Sequence, residues 1–118
     1  MSDIYSLLAD TLSGIGYPVR EQGTFADENK LPETFITYFV VDTPNNSHAD
    51  NLPTSRTTRA QITLYSKKPA LKQGADASIK AVMLPAGFLR VGGRDLPYNP
   101  KTGHYAYTCD YRYYELEE

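Results

Sequence analysis

The stretch His104–Glu118, HYAYTCDYRYYELEE, holds five of the chain's ten tyrosines, its only cysteine and one of its two histidines. As a set of side chains it offers a thiol, an imidazole and a carboxylate for catalysis, or rings and a cation for stacking on bases. The two-residue period of a β-strand sorts these groups differently. Tyr105, Tyr107, Cys109, Tyr111 and Tyr113 share one face; His104, Ala106, Thr108, Asp110 and Arg112 share the other. A nucleophilic cysteine needs a base within hydrogen-bond reach. His104 lies across the strand from Cys109 and roughly 16 Å along it at ~3.3 Å per residue. Cys109 in a column of tyrosines therefore reads as a small buried apolar residue. The tyrosine face has no cation of its own, and the stretch ends in Glu115, Glu117 and Glu118, so base stacking beside phosphates is disfavoured.

Moving towards the N-terminus, 95–103 is rich in turn signals, Gly92-Gly93 reads as a bend and Phe88–Val91 as a short strand. Residues 70–84 have helical spacing, with Leu71, Ala75, Ile79, Val82 and Met83 on one stripe and Lys72, Asp76 and Lys80 towards solvent. Pro69 opens this helix; Pro85 and Gly87 close it. Residues 56–66, RTTRAQITLYS, alternate between Ala60, Ile62, Leu64 and Arg59, Gln61, Thr63, Tyr65. Thr34–Val41, TFITYFVV, is apolar on both faces, Phe35, Phe39 and Val41 opposing Ile36, Tyr38 and Val40. This implies a central strand with helices on one side and a subunit or second layer on the other. A polar segment, 42–55, separates those two strands, and another loop spans 23–32. Tyr17-Pro18-Val19 leads into a short extended segment. Residues 3–15 form a first helix with Ile4, Leu7, Leu8, Leu12 and Ile15 inward, capped by Ser2 or Asp3 and ended by Gly14 or Gly16. The expected fold is α+β: a mainly antiparallel sheet of about four or five strands, with two helices packed on one face.

At 118 residues the chain is one domain, residues 1–118, with a core of two layers. Its net charge of −2 argues against the single-signed basic surface of a nucleic-acid binder. One cysteine excludes an internal disulfide and a multi-thiolate metal site, which fits a reducing cytoplasm. The polar N-terminus does not read as a signal peptide, and no apolar run reaches the ~20 residues of a membrane span.

Catalytic constellations do not assemble on paper. Neither GxGxxG nor GxxxxGK[ST] is present. Metal ligation needs His48, Asp50 or Asp42 to converge with His104; His48 and Asp50 offer two ligands, but turn capping explains the same composition at lower cost. Arg56/Arg59 and Lys67/Lys68 flank a strand and read as solvated strand ends or edge protection. The expectation is no catalytic, cofactor or metal residue. Distant alternatives are a small hydrolase using Cys109 with His48, and a nucleic-acid-binding module.

The order of motifs carries a resemblance. DIYSLLADTLSGIGYPV forms a first helix, LPETFITYFVV a proline-led strand, and a loop containing HADN leads to a strand ending ITLYSK. After the second helix comes AGFLRVGGRDLPYNPKTGHYAYTCDYRYYEL, with a Gly-Phe turn and a closing tyrosine-rich strand. In this order the chain resembles the small tail-terminator or tail-completion proteins of long-tailed bacteriophages and prophages, also described as minor tail or tail-to-head joining proteins. The likeness spans nearly the whole chain in element order; Pro44, Pro53, Pro69 and the polar segment 23–32 depart from it.

The resemblance implies a non-enzymatic virion assembly protein that caps the tail tube as a ring, typically hexameric. Its partners would be copies of itself, the tail-tube protein and a head-completion or connector protein, with no membrane and no specific nucleic acid. It would act in the host cytoplasm during assembly and reside in the tail or neck. Another neck or minor capsid protein is the alternative. Ring closure needs a heterologous interface. The candidates are Asn45, Asn46, His48, Asp50 and Asn51 in the loop, Arg56 and Arg59 at its base, and Tyr105, Tyr107, Tyr111 and Tyr113 on the last strand.

Overall fold

The computed structural model describes residues 4–23, 31–41 and 55–116. Helix α1 spans Ile4–Ser13 and ends as the chain turns through Gly16, whose φ of 103° suits glycine. A short strand β1, Val19–Glu21, follows. Strand β2 covers Thr34–Val41 and β3 Ser55–Ser66. Two helices come next, α2 at Pro69–Gln73 and α3 at Ala75–Met83. Strands β4, Leu89–Asn99, and β5, His104–Leu116, complete the chain.

The five strands form one sheet in the order β1-β2-β3-β5-β4, with β1 parallel to β2 and every other pair antiparallel. The α+β expectation holds, and the alternation read from sequence explains why. Ala60, Ile62 and Leu64 of β3, Ile36 and Tyr38 of β2, and Tyr107, Cys109 and Tyr111 of β5 face Leu8 and Leu12 of α1 and Ala75, Ile79 and Met83 of α3. All of these are at least nine-tenths buried. Each large aliphatic side chain so buried contributes about 1.5–3 kcal/mol.

Two expectations need correction. The single helix over 70–84 is two, because Gly74 sits at φ −88°, ψ 3° and leaves helical geometry between them; the helix count is three. The bend at Gly92-Gly93 and the turn-rich 95–103 are largely one strand, β4, held by its pairing with β5. Two register shifts, one between Arg90 and Gly92 and one between Leu96 and Asn99, absorb the glycines and Pro97. Bulges and proline on an edge strand are normal. The expectation of a central strand at Thr34–Val41 holds, since β2 lies inside the sheet between β1 and β3. Strand β2 pairs with β1 only over Ile36–Tyr38, although Thr34–Tyr38 are buried from both sides.

The pairing register also makes an arm. Strand β2 stops at Val41 opposite Arg59, and β4 begins at Leu89 opposite Arg112. Beyond them Ser55–Thr58 and Tyr113–Leu116 pair only with each other among the described residues. The molecule is accordingly elongated, 51 × 27 × 23 Å.

Candidate assembly interface

The tyrosine column of β5 lies under the helices, as period two requires. Tyr111 is fully buried and Tyr107 is 9% exposed, so both belong to the subunit's own core. Tyr113 is half-buried against Phe88, ring centroids 4.8 Å apart, and Tyr105 packs on Tyr98 at the same distance. Of the four tyrosines proposed as an assembly surface, the column thus leaves at most the flanks of Tyr105 and Tyr113 to a neighbour. Cys109 is buried among them, and burial pushes its thiol up to about 12. That thiol is no nucleophile near neutral pH. His104 sits on the opposite face, as the strand period predicts.

The column also holds a polar cluster the sequence did not reveal. The Tyr107 hydroxyl donates to Asp76 Oδ1 of α3 at 3.0 Å and accepts from Arg90 Nη2 of β4 at 3.1 Å. Arg90 Nε donates to the same Oδ1 at 2.9 Å. Burial pushes the Asp76 carboxyl upward, but these hydrogen bonds outweigh it and hold it below the usual value. Arg90 is raised, chiefly by its bond to Tyr107 and then by Asp76. Gly93 makes room for the cluster, since a Cβ there would lie 2.7 Å from Tyr107 Cζ and 3.1 Å from Cys109 Cβ. Asp76 and Lys72 were expected towards solvent. Instead Asp76 clasps β4 to α3, and Lys72, with its side chain 16% exposed, pairs with Asp95 of β4 at 3.0 Å. Lys80 is exposed as expected. The pairing of β4 with β5, which the sequence implies for Phe88–Val91 but not as far as Asp95, is what brings Arg90 and Asp95 beneath the helices.

No described helix covers the other face of the sheet. Its middle is a polar ladder: Gln61 and Thr63 both donate to the Thr108 hydroxyl at 3.0 Å. At one end, Phe35, Tyr65, Leu96, Pro97, His104 and Ala106 help line a cavity of about 440 Å³. His104 stands edge-on to Phe35 and bonds the Pro32 carbonyl through Nε2 at 2.9 Å. A carbonyl only accepts, so Nε2 carries the hydrogen. At the other end, Arg59 pairs with Asp110 at 2.7 Å, and Arg112 stands directly opposite Arg59 in the register. Arg59, a sequence candidate, is therefore engaged within the subunit; its side chain is still 49% exposed. Arg56 lies on the arm opposite Glu115. Asn45, Asn46, His48, Asp50 and Asn51 lie outside the described residues.

Among the described residues no group of three or more His, Cys, Asp or Glu side chains converges as a metal would require. No described helix is long and apolar enough to cross a membrane. No family model matches the chain, and no curated protein matches it. Solved structures do. The chain superposes on a chain from the virion of a native gene transfer agent (GTA) particle with a TM-score of 0.56, covering 98% of this chain and 92% of that one. The two are 15% identical, so what they share is the fold, across essentially the full length of both.

Proposed function

We propose that the chain is a structural virion protein, one that caps the end of a phage tail tube as a ring, ends tube growth and prepares joining to the head. The observation that carries the reading is the whole-length likeness to a chain of a phage-like virion particle. The order of motifs, similar to that of tail-completion proteins, leads independently to the same place. The subunit's shape suits the role. An elongated body with a two-stranded arm has surface beyond its own core to offer a neighbour, and a lone two-stranded ribbon is only marginally stable in water.

The role is non-enzymatic. Cys109, the one thiol of the chain, is spent on packing. Partners are copies of the chain in a hexameric ring, the tail-tube protein and a head-completion protein. Antibody labelling of purified virions tests the position. Label at the head-proximal end of the tail is the expected result. Label on the capsid shell, or none on the particle, overturns the reading.

A further inference from the structure

One patch at the root of the arm is built against its own subunit's stability. Arg59 and Arg112 face each other across β3 and β5 on the helix-free side. Like charges directly opposite in a sheet are destabilising. One carboxylate, Asp110, bonds Arg59 at 2.7 Å. Exposed Arg112 has no hydrogen-bond or ion-pair partner, among the described residues, to offset the repulsion. Two large apolar side chains flank this pair. Leu89, 52% exposed, is the register partner of Arg112 on β4; Tyr114, 51% exposed, lies two residues along β5 on the same face. Exposed arginine and tyrosine beside an apolar neighbour is the composition of interface anchors.

We propose that Arg59, Arg112, Leu89 and Tyr114 form a docking site for an acidic segment of a partner polypeptide. One partner carboxylate seats on the Arg112 guanidinium, in the fork geometry arginine favours, and completes a cluster of two cations and two anions. An apolar side chain of the same segment packs between Leu89 and Tyr114. A single carboxylate satisfies the patch. A nucleic acid needs a run of cations, and with Asp110 bound to Arg59 the patch leaves one guanidinium free in a chain of net charge −2. The inference concerns one surface of the subunit and stands apart from the virion reading: it fails or holds whatever the protein's position in a particle.

The test uses the full chain and a labelled ten-residue peptide alternating glutamate and leucine, followed by fluorescence anisotropy. A lysine–leucine peptide and a 20-nucleotide single-stranded DNA serve as comparisons. The acidic peptide is expected to bind, and Arg112→Glu to weaken it by about 10- to 100-fold, the loss of one charge-assisted contact. Lys80→Glu, the same charge change on the exposed side of α3, is expected to change it less than about twofold. Arg112→Glu also replaces the cross-strand repulsion with attraction, so its Tm is expected to rise by about 1–4 °C. Absence of acidic-peptide binding overturns the proposal. So does equal weakening by the two variants, or tighter binding of the DNA or of the basic peptide.

Discussion

At the scale of single residues, the densest information lies where Gly93 passes beneath Tyr107. A methyl group at Gly93 has no free space, because Tyr107 Cζ and Cys109 Cβ already occupy it. Gly93→Ala is expected to destabilise the fold by about 1–3 kcal/mol, as overpacking does, measured by urea unfolding. Tyr111 makes the opposite case. Its hydroxyl is buried with no hydrogen-bond partner, so Tyr111→Phe removes an unsatisfied group without opening a cavity. That variant is expected to be neutral or up to about 1 kcal/mol more stable; a clear loss would show that the hydroxyl is satisfied in solution. Asp76 gives a pH dependence. Its folded value lies below its unfolded one, so its contribution is present above the unfolded value near 3.8 and is lost as pH falls through the lower folded value. Wild type and Asp76→Asn are expected to differ in stability at pH 6 and to converge in strong acid. Cys109 runs the other way. Its folded value is raised, so its contribution is full below the unfolded value near 9.0 and declines as pH rises towards about 12. A thiol reagent at pH 8 is expected to modify unfolded but not native protein.

At the scale of elements, what was legible followed the hydrophobic period. RTTRAQITLYS and HYAYTCDYRYYEL read as strands because each must sort its side chains between a helix-covered face and one that no described helix covers, and period two records that sorting. TFITYFVV, buried from both sides over Thr34–Tyr38, reads as one because it is β-branched and aromatic throughout. Strand β4 keeps no such record. Its residues are exposed or half-buried along its whole length, so Gly92-Gly93 and Pro97 read as breakers where they are bulges in a paired edge strand. The break at Gly74 was hidden for a related reason, since the apolar stripe of Leu71, Ala75, Ile79 and Met83 runs across it. Gly74 sits at negative φ, and an added Cβ would meet only ordinary contacts, 3.7 Å to the Ala70 carbonyl and 3.9 Å to that of Leu71. Gly74→Ala is therefore expected to be tolerated, with a stability change within about 1 kcal/mol in favour of the helix. The clasp of Asp76, Arg90 and Tyr107 could not be read from sequence, because it depends on the register in which β4 pairs with β5. The interface candidates on β5 were placed on the correct face, but the face itself was given to the core. The helix-free side carries the exposed Arg59, Arg112 and Tyr114 instead.

At the scale of the whole molecule, a subunit with helices on one sheet face and no described helix on the other has different surfaces front and back. Contacts between unlike surfaces generate rings when the rotation closes. The elongated body and its arm suit such contacts. The role proposed for this chain is to end tail growth. Deletion of its gene, followed by electron microscopy of the particles produced, tests it most directly. The account expects tails of uncontrolled length without attached heads, restored by supplying the wild-type chain. Tails of normal length joined to heads in the deletion strain would contradict it.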